Sequence, residues 1–137
     1  MIQRLLRLFF LPITLSACAY GGQKNFLNDS SRETLSVQGE HKAIASCVTN
    51  ALDTEKWGIW DIPARVTRTS ENGATIQLEA ANPSHVDVIF WQASFTQVAQ
   101  NSTSIEIIAR RNFHPSLSSD YLSNKLEVAI KSCASSS

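Results

Sequence analysis

Three cysteines, three histidines and a scatter of carboxylates are the residues of this chain with chemistry to offer. His41 opens a helix-like segment, His85 sits in the turn NPSHVD, and His114 directly precedes Pro115. No two of them have the H-E-x-x-H or H-x-H spacing of a metal site. His85 and Asp87 are two apart and would share a strand face. A hydrolytic site would still need a nucleophile, and Ser84 and Ser94 are near only in sequence. Asp53, Glu55 and Glu71 read as solvated charges at a helix end and a turn. The chain has no G-x-S-x-G elbow, no G-x-x-x-x-G-K-[ST] loop and no G-x-G-x-x-G fingerprint, so nucleotide and acyl-transfer chemistry lack a foothold. The pattern predicts no catalytic residue, no metal and no cofactor. The cysteines are more informative. Cys47 and Cys133 stand outside any C-x-x-C or Cys/His cluster, which leaves pairing with each other as their natural chemistry in an oxidising compartment. Cys18 closes the apolar run LPITLSAC.

The residues around Cys18 explain its position. The chain opens MIQRLLRLFF, with Arg4 and Arg7 ahead of an apolar stretch that ends on the small residues Ser16 and Ala17. That is the layout of an export signal. The uncharged run from Leu8 to Cys18 is well short of the roughly 20 residues a spanning helix needs. Leu15-Ser16-Ala17-Cys18 resembles the lipobox of bacterial lipoproteins. The resemblance implies that diacylglycerol is attached to the Cys18 thiol, that residues 1–17 are cut away, and that the new amino terminus receives an acyl chain such as palmitate. An ordinary cleaved secretory signal is the alternative. Several acyl chains on one residue anchor stably, at about 0.8 kcal/mol per buried methylene. Ala19 follows the cysteine where such families carry Asp for inner-membrane retention, so the resemblance implies the periplasmic face of the outer membrane.

Loss of the signal leaves about 120 residues, enough for one domain with a real core and too few for two. Arg4 and Arg7 leave with it, so ten basic residues face twelve acidic ones and the mature net charge is −2. That balance offers no electrostatic case for nucleic acid or for anionic headgroups. The expected partners are the bilayer, through acylated Cys18, and an envelope protein. Export also places Cys47 and Cys133 where thiols pair. Their bridge would close a loop of about 86 residues, worth about 4.5 kcal/mol in the chain-entropy model.

Periodicity supplies the elements that position these residues. Residues 18–38 are polar, carry Gly21 and Gly22, and read as an acylated cysteine and flexible tether with an r.m.s. reach of roughly 25 Å; Leu35 and Val37 alternate enough for a short edge strand. From Gly39 onward Ala43, Ile44, Cys47, Val48, Ala51 and Leu52 form a helical stripe, with His41 on its polar side. Leu122, Leu126, Ala129, Ile130 and Cys133 form another, capped by Ser118 or Ser119 with Asp120 in its first turn. Between them the period is two. Val66, Ile76, Leu78, Ile105 and Ile107 alternate with polar neighbours, and Asn72-Gly73 predicts a type I′ hairpin. Asn82-Pro83-Ser84 and Asn101-Ser102-Thr103 mark the next turns. The expected fold is α+β: helix, four-stranded antiparallel meander, helix, over residues 39–134. Both helices lie on one face of the sheet, the disulfide closes the domain, and a disordered tail occupies 135–137.

Two apolar features remain. On the third strand Ile89, Trp91, Ala93 and Phe95 share one face, leaving Val88 and Phe90, with Ile108 of the next strand, on the other. Such a cluster is either covered by the tether or docks a partner, which makes Val88, Phe90 and Ile108 the candidate partner-binding residues. The aromatic stretch WGIWDIP, residues 57–63, is either a binding ledge or a plug closing one end of the core. Arg65, Arg68, Arg110 and Arg111 fall on opposite edges of a four-strand meander and make no patch. The domain outline, from C-V-T-N to A-I-K-S-C, is similar to small envelope lipoproteins of uncharacterised function. The expected role is a lipid-anchored, non-catalytic accessory or binding module of an envelope assembly. Its rivals are an inhibitor of a foreign wall-degrading hydrolase, plugging a cleft with the 82–87 turn, and a small envelope enzyme built on His85 or His114.

Overall fold

Alternating apolar residues in four consecutive segments give four strands joined by short turns, and a computed structural model of the chain builds them as such. It describes residues 23–136 apart from 112, 113 and 115; the expected signal segment, residues 1–17, and Cys18 lie outside the described residues. The elements in chain order are α1 (Gln23–Asn28), β1 (Ser30–Gln38), α2 (His41–Leu52), β2 (Lys56–Trp57), β3 (Ile62–Pro63), β4 (Arg65–Asn72), β5 (Thr75–Asn82), β6 (His85–Ala99), β7 (Ser102–Arg110) and α3 (Ser119–Ser135). The architecture is α+β. A five-stranded antiparallel sheet runs in the order β1-β7-β6-β5-β4, and β2 pairs with β3 in a separate two-residue ladder.

The meander β4-β5-β6-β7 is the expected one, but it carries a fifth strand. Residues 30–38, expected as tether with a short edge strand at Leu35 and Val37, pair antiparallel with β7 from Ser30 opposite Arg110 to Gln38 opposite Ser102. Only Leu35 and Val37 of β1 pack on the core. The strand is therefore held by its ladder more than by burial, and its polar sequence hides it. The domain accordingly begins well before residue 39. At the other end α3 reaches Ser135, into the expected tail.

The first hairpin turn also differs from expectation. Asn72 pairs with Thr75 inside the ladder, so Gly73 and Ala74 are the two loop residues. Gly73 alone takes a positive φ, +49°, as a turn with glycine at its first central position requires.

Both long helices cover one face of the sheet. Ile44, Ala45, Val48 and Leu52 of α2 and Leu122, Leu126, Ile130 and Cys133 of α3 share one buried cluster with Ile76, Leu78, Ala93, Phe95, Ile105 and Ile107. Ser118 caps α3, its side chain accepting from the Tyr121 N–H at 3.2 Å. Cys47 and Cys133 are bonded to each other and join the two helices.

Helix α1 covers part of the opposite face. Phe26 is fully buried there with Ile89 and Ile108. Beneath it Arg110 lies largely buried, Nη1 donating to the Ile89 carbonyl at 3.5 Å. Burial pushes the pKa of this guanidinium down, and the Asp29 carboxylate opposes that shift.

Candidate functional site

The expected partner patch does not exist as one open surface. In the β5–β6 ladder Ala80 faces Trp91 while Ala81 faces Ile89, leaving Phe90 as an extra residue in a bulge. A bulge places two residues against one and reverses the alternation beyond it. Phe90 therefore joins Trp91 in the main core, and Val88 packs against that core from its margin. Ile89 turns to the opposite face, not to the face of Trp91 where period-two reasoning put it. Of the three residues expected together, only Ile108 lies under α1, and Phe26 covers it. Val88, Phe90 and Ile108 thus divide between two sides of the sheet.

The histidines separate in a similar way. His41, expected on a solvated helix face, is buried. Gln97 Oε1 accepts from its backbone N–H at 2.8 Å and lies 2.9 Å from its Nδ1. A β6 side chain thereby caps the start of α2, a contact across 56 positions that no local pattern discloses. The side chains of His85, Val86 and Asp87 lie outside the described residues. His114 is half-buried, its Nδ1 2.8 Å from Ser116 Oγ and 3.2 Å from the Ser116 N–H that donates to it. An imidazole nitrogen has one lone pair in its plane. The Ser116 amide already uses it, so the hydroxyl competes for the same acceptor, and the pair is a local turn lock before it is a nucleophile and base. Asp53, expected as a free charge, accepts from the Val66 N–H at 3.0 Å and pairs with Arg65 at 3.5 Å, joining the end of α2 to β4. Among the described residues there is no group of three or more His, Cys, Asp or Glu that could hold a metal ion.

The hairpin β2–β3 is where the structure displays apolar surface. Its base is core: Trp57 is fully buried, 6.3 Å from the Trp91 ring and 6.4 Å from that of Tyr121. Both buried indole N–H groups lack an acceptor among the described residues, so packing is what these rings contribute. Lys125 of α3 straps the base down. Its Nζ lies 4.5 Å above Trp57, 2.7 Å from Glu55 Oε2, and donates to the Lys56 carbonyl at 3.2 Å. The Gly58 N–H donates to Tyr121 Oη at 3.1 Å. Gly58 has a φ of +70°, and a Cβ there would stand 2.5 Å from Ser116 Oγ; only glycine lets the loop approach that closely.

The tip does the opposite of the base. Ile59 is 81% exposed and Trp60 68%. Trp60 stands edge-on to His114 at 6.4 Å. The WGIWDIP stretch is thus a plug at Trp57 and exposed apolar surface at Ile59 and Trp60. Beside it Tyr121, Asn124, Lys125 and Val128 line a shallow depression of about 370 Å³ on α3, with Val128 69% exposed.

On the far face of the sheet Arg65, Thr67, Glu79, Ala81, Asn82 and Pro83 line a second concavity of about 430 Å³. Glu79 in its wall accepts from Gln92 Nε2 at 2.8 Å. The turn above it is stiffened by the Ser84 N–H donating to Asn82 Oδ1 at 2.9 Å. Arg65 and Arg68 on β4 are separated from Arg110 on β7 by β5 and β6, so the arginines make no common patch. Among the described residues no helix is long and apolar enough to cross a membrane. No protein-family model matches this chain, and no curated protein matches it in sequence.

Proposed function

We propose that this chain is a lipid-anchored domain of the bacterial envelope, exported by residues 1–17, acylated at Cys18 and held at the periplasmic face of the outer membrane. There it acts as a non-catalytic accessory or binding module of an envelope assembly. The observation that carries the reading is the Cys47–Cys133 bridge. Bridges between core helices persist in oxidising compartments and are rare in the cytosol, which agrees with the export signal and lipobox at the opposite end of the chain. The surface left for an envelope partner is the exposed strand face around Arg65, Thr67 and Glu79, with its 430 Å³ concavity, because Phe90 and Ile108 are buried. One feature favours the hydrolase-inhibitor reading: the stiffened turn at Asn82 presents Pro83 and Ser84 to solvent.

The test is crosslinking and pulldown of the full chain from its own membranes, with mass analysis of its amino-terminal peptide and a Cys18→Ala control. An acylated Cys18 and one stoichiometric partner, lost in the control, are expected. An unmodified Cys18 in a soluble protein would overturn the anchor. An acylated protein that reproducibly brings down no partner would overturn the accessory role.

A further inference from the structure

Ile59 and Trp60 are the most exposed aliphatic and aromatic side chains among the large hydrophobic residues described, and they are adjacent. Their exposure is not looseness of the loop. The Gly58–Tyr121 hydrogen bond, the Lys125 strap and the buried Trp57 hold the hairpin from below. A rigid element that presents Ile and Trp outward needs an apolar environment to receive them.

The position of the tip points to which environment. The Arg111 N–H donates to the Asp29 carbonyl at 2.9 Å, so the end of β7 and the start of β1 lie side by side. His114, three residues beyond Arg111, meets the Trp60 ring. The tip and the point where the amino-terminal segment joins the sheet therefore share one end of the molecule. From Asp29 back to Cys18 the chain has little slack. Six helical residues of α1 cover about 9 Å at about 1.5 Å each, and the five residues before Gln23 reach at most about 17 Å. Cys18 thus stays within about 26 Å of that end, less than the roughly 30 Å length of β7. An anchor so short cannot let the domain float free, and it brings this end toward the bilayer.

We infer that the Ile59–Trp60 tip is a second membrane contact, seated in the interfacial layer of the bilayer that holds the Cys18 acyl chains. The inference rests on the lipid anchor proposed above. Tryptophan suits the interface because its ring is apolar and its N–H reaches water or headgroups. The charges around the tip, Lys56 and Arg111 against Asp61 and the Lys125-paired Glu55, nearly balance; insertion here is apolar in character and works as the second of two signals, not as an independent anchor.

Trp57 and Trp91 are fully buried, so Trp60 is the tryptophan that responds to its surroundings. The full acylated chain, purified from its membranes, is placed in vesicles of phosphatidylethanolamine and phosphatidylglycerol with brominated acyl chains. The expected result is bromolipid quenching that disappears in Trp60→Phe. Ile59→Ser should weaken it several-fold with thermal unfolding unchanged. Iodide quenching of Trp60 that is equal with and without vesicles, in protein that still floats with them, would overturn the inference and leave the anchor standing. An unmodified Cys18 would overturn both. A photo-crosslinker at position 59 should capture lipid in cells; capture of a protein instead would assign the tip to a protein partner and overturn the membrane seat.

Discussion

Phe90 owes its place in the core to one extra backbone residue between the partners of Ala80 and Ala81. Replacing it with Asp puts a carboxylate among Trp91, Val88 and the helix-side core, at a cost of several kcal/mol that a domain of ordinary stability does not survive. Phe90→Asp should yield no cooperative thermal transition and no dispersed amide spectrum. At the sheet edge Glu71 behaves differently. The Arg68 hydrogen bond at 2.7 Å, joined by Lys42 at 3.7 Å, holds its carboxyl below the usual carboxylate range. A depressed folded pKa contributes stability that is present above the unfolded value and is lost as pH falls through the folded one. Solvent-accessible and screened as it is, Glu71 should add only a small acid-side loss. Carbon-detected titration should find its midpoint low, and Arg68→Ala should move it upward.

At the scale of elements, β1 and α1 are the pieces whose worth lies in what they cover. Strand β1 hides the edge of β7 along its whole length, and exposed edges template aggregation. A chain beginning at Gly39 should therefore be recovered mainly as aggregate, whereas one beginning at Gln23 should be monodisperse by gel filtration. Phe26 is the plug over Ile89 and Ile108. Phe26→Ala should cost about 3 kcal/mol, the low end for a buried phenylalanine because the site lies at the margin. Hydrogen exchange should quicken across 23–30 before it does in β6. The helices were legible because their stripes recur at three and four. Of strand β1 only the alternation of Leu35 and Val37 was, since SSRETLSVQ has only two apolar residues and its ladder to β7 lies some seventy positions away.

For the molecule as a whole, the Cys47–Cys133 bond spans 86 positions and ties α2 to α3, between which the whole meander is strung. Closing such a loop is worth about 4.5 kcal/mol at most. Cys47→Ala with Cys133→Ala should lower the melting temperature by roughly 15 °C, at a few degrees per kcal/mol for a domain of this size, and reductant should do the same to the native protein alone. The two pieces of the molecule outside the four-strand meander and the long helices are the hairpin at Trp57 and the amino-terminal α1–β1 segment. The hairpin tip meets His114 and Asp29, just before β1, meets Arg111, so the tip and the start of β1 both lie at the end of the sheet where β7 finishes. That end carries the chain's connection to Cys18 and, in Ile59 and Trp60, the most exposed large aliphatic and aromatic side chains among the described residues.

The sequence by itself determined the amphipathic helices at 41–52 and 119–135, the four successive strands, and the pairing of Cys47 with Cys133. Each rests on a period, a turn residue or a count, all properties of neighbours along the chain. Only the tertiary structure decided that residues 30–38 complete the sheet, that Phe90 points inward and Ile89 outward, that Gln97 caps α2, and that Trp57 is core while Trp60, three residues on, faces out. Those outcomes depend on a bulge, a distant ladder partner and a glycine packed against Ser116, and burial is a property of what the rest of the fold brings to a residue.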